Sequence, residues 1–228
     1  MIQFDQQSGF VAGTLVHTDK GLVPIEQLKV GDMVLSRHES GEGELAYKCV
    51  TKTFVTENQA IWAMELSGKL KVSDGFKEEF LFTTANHSFW TFENSSADAI
   101  DISSGKWLSV SNLEMGEPLF RYSRDFAGIF DVRSLYQTTE PDKAFYMVYP
   151  SSDEGIFLNI NDYRNQTLHV PEYIGNRKSM AMLNCDENED QISDVYLTTV
   201  YNFKVEDYKT YFVGELGILV HDATANIS

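Results

Sequence analysis

The sequence predicts an all-β fold. Three observations carry that prediction: short β-branched and aromatic runs divided by turn residues, scarce long helical periodicity, and an internal repeat. In the first half, strand-like runs fall at Gly13 to His17, Met33 to Ser36, Cys49 to Val55, Ile61 to Leu66, Glu79 to Thr84 and Ser88 to Phe92. Near the C-terminus the signal returns at Thr198 to Val205, Lys209 to Val213 and Ile218 to Val220, with Gly214 and Gly217 in the tight link between the last two. Between Arg121 and Val195 the pattern loosens. That stretch reads as an insertion set into the second half, with short strands expected at Phe145 to Tyr149, Ile156 to Ile160 and Thr167 to Val170, and an acidic loop at Asp186 to Asp190.

The repeat relates VPIEQLKVGDMVL (Val23 to Leu35) to LSVSNLEMGEPLF (Leu108 to Phe120). A shift of 85 residues aligns Ile25 with Val110, Leu28 with Leu113, Gly31 with Gly116 and Asp32 with Glu117. In each copy an apolar residue and a Leu three positions on fit one helical turn, and Gly plus an acid precede a strand. Two related β halves account for this, as does convergence on a common helix-turn-strand link.

Composition narrows the function classes. The 228 residues are 43% hydrophobic, enough for a substantial core. A net charge of −16 and a pI near 4.6, with no concentrated basic patch, argue against nucleic-acid binding. Cys49 and Cys185 lack the spacing of a zinc site or a disulfide framework. No run is long and apolar enough to span a bilayer, and Met1 to Ser8 lacks the basic and apolar regions of a signal peptide.

Most polar residues carry no chemical pattern on their own. His17, His38 and His169 read as ordinary surface or half-buried side chains. His87 closes Phe82-Thr83-Thr84-Ala85-Asn86-His87 directly after an apolar strand. One turn there brings Thr84 and His87 toward a single peptide bond, and a plain strand-ending turn capped by Thr and Asn explains the same residues. His221-Asp222 follows the last strand. An Asp or Asn side chain can attack its own carbonyl and expel the next residue's amine, with the neighbouring imidazole protonating the leaving nitrogen. Asn does so through a succinimide. Asp, ionised near neutral pH, must form a strained anhydride, so scission at this junction is expected to be slow.

Taken together, Gly9 to Val16 (GFVAGTLV) with IEQLKVGDMVLS, the TANHSFW segment from Thr84 to Trp90, and the tail from Val200 to Ala223 (VYNFKVEDYKTYFVGELGILVHDA) resemble the Hint (hedgehog/intein) superfamily. The style is that of the intein-like modules preceding toxin domains in bacterial secreted polymorphic toxins. The resemblance covers about Gly9 to Leu119 and Val200 to Asp222. It implies a horseshoe-shaped, pseudo-twofold all-β fold that brings both termini to one active centre. Active members begin with a Cys or Ser that attacks the preceding carbonyl. The Thr and His of the TxxH block hold and protonate that amide, and a final Asn cyclises to cut the other end.

This chain departs from that pattern at the reacting positions. Gly9 carries no nucleophile, Asp222 replaces the final Asn, Lys209 stands where the family usually has a His, and Ala223 cannot accept a branched ester. Splicing is therefore excluded by chemistry, and Ser8 substitutes only if the register slips by one. Gly9 and Asp222 are either engineered replacements or natural degeneracy.

The resemblance thus implies flanks at 1–8 and 223–228 and a module over 9–222 with its insertion at 121–195. The candidate site comprises Gly9, Thr84, Asn86, His87, Lys209, His221 and Asp222. No metal or organic cofactor is expected. The expected partners are the chain's own flanking segments and a downstream toxin domain, within a longer secreted or cell-surface bacterial protein. The rival expectation is a non-catalytic interaction or presentation module. A generic β-sandwich, the third reading, places the two ends far apart.

Overall fold

The computed structural model describes residues 7–69, 75–92, 105–149, 154–168 and 195–223. The N-terminal half contains β1 (Phe10–Val11), β2 (Leu15–Thr18), β3 (Gly21–Pro24), β4 (Met33–Ser36), the 24-residue β5 (Ala46–Lys69), β6 (Phe76–Thr84) and β7 (Ser88–Thr91). After β8 (Lys106–Ser109), β9 (Pro118–Phe120) and β10 (Phe126–Ser134), a separate sheet forms from β11 (Tyr136–Gln137), β12 (Lys143–Tyr149) and β13 (Glu154–Asn159), followed by α1 (Ile160–Arg164). The chain closes with β14 (Leu197–Val205), β15 (Thr210–Val213) and β16 (Ile218–His221). Every pairing between these strands is antiparallel, and the all-β expectation holds.

β5 is the spine of the large sheet. Its first part pairs with β4 (Met33 opposite Cys49) and β14 (Tyr201 opposite Val55), and its second part with β6 (Ala63 opposite Phe82) and β10 (Ile129 opposite Leu66). Two strands expected at Cys49 to Val55 and Ile61 to Leu66 are therefore one. Glu57 and Asn58, which read as a turn, form an irregularity in the β14 pairing, with Asn58 at φ 56°.

The repeat returns as matching hydrogen bonds. A one-turn 3-10 helix spans Ile25–Gln27 in one copy and Val110–Asn112 in the other. Leu28 N–H donates to Ile25 O at 3.3 Å, as Leu113 does to Val110 at 3.2 Å. Asp32 accepts from Lys29 N–H through its side chain, as Glu117 accepts from Glu114, both at 2.9 Å. The aligned glycines do the same work: Gly31 N–H donates to Val50 O and Gly116 N–H to Ile129 O, from φ values of 99° and 89°.

The correspondence extends beyond the aligned residues. Thr14 N–H bonds to Val11 O and Thr14 O receives Ile25 N–H, while His87 N–H bonds to Thr84 O and His87 O receives Val110 N–H. The turn ahead of β2 is thus the counterpart of the turn ahead of β7, and β2 and β7 flank the β15–β16 hairpin symmetrically, Val16 opposite Val213 and Phe89 opposite Val220.

Two expectations for 121–195 change. β10 pairs with β5 and β9, so it belongs to the large sheet, and the separate sheet starts at Tyr136. Thr167 and Leu168 are not in a strand: Asn159 Oδ1 accepts from Asn161 N–H at 3.0 Å and caps α1, after which Thr167 N–H turns back to Asp162 O. The acidic run 186–190, His169 and Cys185 lie outside the described residues.

One buried cluster lies between the related halves and contains Phe10, Val16, Phe89, Phe203 and Tyr211. A second joins β6 to the separate sheet through Phe82, Tyr146 and Ile160. Each buried phenylalanine contributes roughly 1.5–3 kcal/mol. Because the space beside Gly31 and Gly116 is open, Gly31→Ala and Gly116→Ala report backbone strain alone; each should cost about 1–2 kcal/mol in urea unfolding. Gly128→Ala, equally unobstructed but without a positive φ, should change stability by less than about 0.5 kcal/mol.

Candidate functional site

The chain at the Ser8–Gly9 bond is gripped by two strands, β6 and β14. Gly9 N–H donates to Thr84 Oγ1 at 3.1 Å, and Gly9 O accepts from Thr83 Oγ1 at 2.9 Å and Thr84 N–H at 3.1 Å. On the other side of that bond, Asn202 Nδ2 donates to Ser8 O at 3.0 Å. Asn202 cannot turn its amide around, because its Oδ1 accepts from Phe203 N–H at 2.8 Å and Tyr211 OH at 3.0 Å. A fixed donor on the carbonyl oxygen is the polarising device acyl transfer uses.

His87 is fully buried within the same wall, edge-on to Phe10 at 4.3 Å, and among the described residues neither ring nitrogen has a hydrogen-bond partner. Burial drives its pKa down to about 3, with the nearby His221 adding to the shift and Asp222 opposing it. It is a neutral imidazole across the physiological range. Asn86 is exposed at the tip of the same turn.

The second junction, between Asp222 and Ala223, is equally constrained. Asp222 N–H donates to Lys209 O at 2.8 Å, Ala223 N–H donates to Phe203 O at 3.0 Å, and Asp222 Oδ2 accepts from Val205 N–H at 2.8 Å. His221 Nδ1 lies 3.3 Å from Asp222 O and 3.5 Å from Asp222 Oδ1. Burial alone would lower the His221 pKa; hydrogen bonds to Asp222 and Glu39 outweigh it and raise the pKa. Lys209 lies outside the pocket. Its backbone is at φ 58°, and its Nζ pairs with Glu39 Oε1 at 2.6 Å.

The two ends therefore meet. Consecutive residues of β14 hold them, Asn202 on the Ser8 carbonyl and Phe203 on the Ala223 amide. A β-sandwich with distant termini is ruled out. Gly9 is the residue whose amide meets Thr84, so the register does not slip to Ser8.

Sequence reasoning missed Asn202 and Glu39. Asn202 is a lone polar residue among the buried Val200, Phe203 and Val205 of β14, which was a readable signal. Glu39 had none, since it reaches His221 from a loop 182 positions away. The structure also closes around Gly9: a Cβ there would lie 2.9 Å from Tyr201 O and 3.0 Å from Val200 Cγ2. A side chain at position 9 requires β14 to shift. Among the described residues no group of His, Cys, Asp and Glu is arranged to hold a metal.

A duplicated all-β module whose ends converge on polar groups aimed at two peptide bonds has the fold of inteins. The bacterial intein-like domain from Clostridium thermocellum superposes with a TM-score of 0.54 at 22% identity, covering 94% of this chain and 98% of that one. A DnaB mini-intein variant, Ssp M86, gives 0.52 at 11% identity over 99% and 100% of the two chains, and the DnaB intein from Synechocystis sp. PCC 6803 gives 0.50 at 13% over 94% and 98%. The pretoxin Hint domain model matches residues 15–171, more than half of the sequence, and the chain belongs to that family. No curated protein matches.

Because His87 is neutral in the fold down to about pH 3 and titrates near 6.5 when unfolded, the unfolded state binds the extra proton between those values. Stability should fall as pH drops through that window, by at most about 1.4 kcal/mol per pH unit from this residue. Thermal unfolding of His87→Gln should show a correspondingly shallower acid slope than the parent.

Proposed function

We propose that this chain is a self-processing module of a longer bacterial protein, in which scission at Asp222–Ala223 is retained in slow form and reaction at Ser8–Gly9 is lost. The observation that carries this reading is the His221 ring edge, 3.3 Å from the carbonyl oxygen of the Asp222–Ala223 peptide. An Asp222 carboxylate oxygen attacks the residue's own carbonyl carbon and closes a five-membered anhydride. The C–N bond breaks, the His221 imidazolium delivers its proton to the Ala223 nitrogen, and water opens the anhydride to leave Asp222 as a free C-terminus. The tie from Asp222 Oδ2 to Val205 N–H holds the carboxylate in its resting position, which slows the attack.

At the other junction, Thr84 holds a peptide that Asn202 polarises, but Gly9 supplies nothing to attack it. In this reading the module spans 9–222, the flanks are 1–8 and 223–228, and the segment released or presented downstream is a toxin domain of a secreted or cell-surface protein, as the pretoxin family suggests. A second reading, a non-catalytic presentation module, draws on the same contacts: Gln7 N–H on Gln59 Oε1 and Ser8 on Asn202 bind the upstream flank as a standing ligand.

Mass spectrometry after incubation at pH 5.5 and pH 8 should detect loss of residues 223–228 faster at the lower pH, where His221 carries its proton more often. An intact C-terminus at every pH refutes the scission. Asp222→Asn should accelerate it by about tenfold or more by opening the succinimide route, a barrier drop near 1.4 kcal/mol, and Asp222→Ala should abolish it. In Gly9→Cys/Asp222→Asn only the C-terminal junction should open, because Tyr201 O and Val200 crowd the new side chain. A double variant that stays whole at both ends supports the presentation reading.

A further inference from the structure

The loop between β4 and β5 sends one carboxylate into the C-terminal half of the site. Glu39 Oε2 lies 3.3 Å from His221 Nε2, and Glu39 Oε1 pairs with Lys209 Nζ at 2.6 Å. Its main chain is fixed as well: Trp107 Nε1 donates to Glu39 O at 2.9 Å, and the same indole packs edge-on against the His221 ring at 5.0 Å. One tryptophan thus locates both partners of the Glu39–His221 contact.

The imidazole stands between oxygen acceptors. Nε2 faces Glu39 Oε2, and Nδ1 faces Asp222 O and Oδ1. A neutral ring carries one N–H and leaves one of those edges facing an acceptor with a lone pair; only the imidazolium donates on both. We propose that Glu39 is a positioning residue of the C-terminal half-site, which holds the His221 ring doubly protonated with its Nδ1 edge on the scissile carbonyl. Lys209 serves this arrangement by keeping Glu39 ionised and by occupying one of its two oxygens. The charged and titratable groups around His221 are Glu39 and, through it, Lys209, together with Asp222 at the strand end and the buried neutral His87. The raised His221 pKa and the lowered Glu39 pKa agree in direction.

This deepens the self-processing reading and rests on it for the catalytic consequence, but not for the Glu39–His221 contact, so two measurements separate them. The first is the NMR titration of His221 in 13C-histidine-labelled full chain. Glu39→Gln keeps the side-chain size and removes the charge. It should lower the His221 midpoint by about one pH unit, a tenfold loss of proton affinity. Glu39→Asp should recover part of the shift. The second is the pH profile of residue 223–228 release, whose alkaline limb should move to lower pH by the same amount in Glu39→Gln. An unchanged His221 midpoint in a folded Glu39→Gln protein overturns the inference, whatever the cleavage does. A shifted midpoint in a chain that never cleaves upholds the Glu39 contact and rejects self-processing.

Discussion

Two consecutive residues of one strand decide how this molecule is arranged. Asn202 binds the carbonyl before Gly9, and Phe203 binds the amide after Asp222, so β14 sets the distance between the two ends. A strand's side chain and its neighbour's main-chain carbonyl cannot move independently, because the ladder to β5 and β1 fixes both. Both junctions are thus presented by rigid backbone rather than by loops, the arrangement that keeps a reacting group within the narrow tolerance that peptide chemistry demands.

That rigidity follows from duplication. The two strand–turn–strand units repeat the same hydrogen bonds at Gly31 and Gly116 and place their turns, ending at Thr14 and His87, on either side of the β15–β16 hairpin. The hairpin ends at His221, so its position is set by β2 and β7 together. Only one of the two turns faces the junctions. Its mate ahead of β2 is filled by the segment around α1, where Tyr163 OH contacts Thr14 Oγ1 at 2.8 Å and Gln166 Nε2 donates to Gly13 O at 2.6 Å. Gly13 is required there because a Cβ would lie 2.5 Å from Arg164 Cα. The segment around α1 therefore buttresses the structural copy of the turn, and through Tyr163 against Phe82 it also backs the strand that delivers Thr83 and Thr84.

Much of this was legible in the residues. Alternation and turn chemistry located most strands, and a thirteen-residue repeat foretold the symmetry, because both signals arise from short-range backbone needs. The single spine β5 was not legible, since Glu57-Asn58 has the composition of a turn and only pairing across to β14 makes it a bulge. The start of the separate sheet was hidden for a related reason: β10 shows ordinary strand composition, and which sheet it joins depends on Leu66 and Leu119, far away in sequence. At the site, Thr84, His87, His221 and Asp222 stood out because they lie next to one another in the chain at strand ends. Glu39 lay beyond reach, because a loop carboxylate acquires meaning only from the distant strand it packs against.

Gly9 and Asp222, at the two junctions, have unequal surroundings. Gly9 carries no side chain, and the neighbouring strand leaves little room for one, with Tyr201 O and Val200 at the limit of close contact with an added Cβ. Position 9 resists a side chain, because backbone stands where its Cβ would go. Asp222 differs from Asn by one terminal group, so the pocket that would hold an amide holds a carboxylate of nearly equal shape, accepting from Val205 N–H and facing His221. The ground state is stabilised by the same charge pairing that the transition state needs, and an interaction made equally in both states accelerates nothing. On the self-processing proposal, what separates a slow junction from an inert one is whether His221 has a proton to deliver, and that depends on Asp222 and on the charges around its outer edge together.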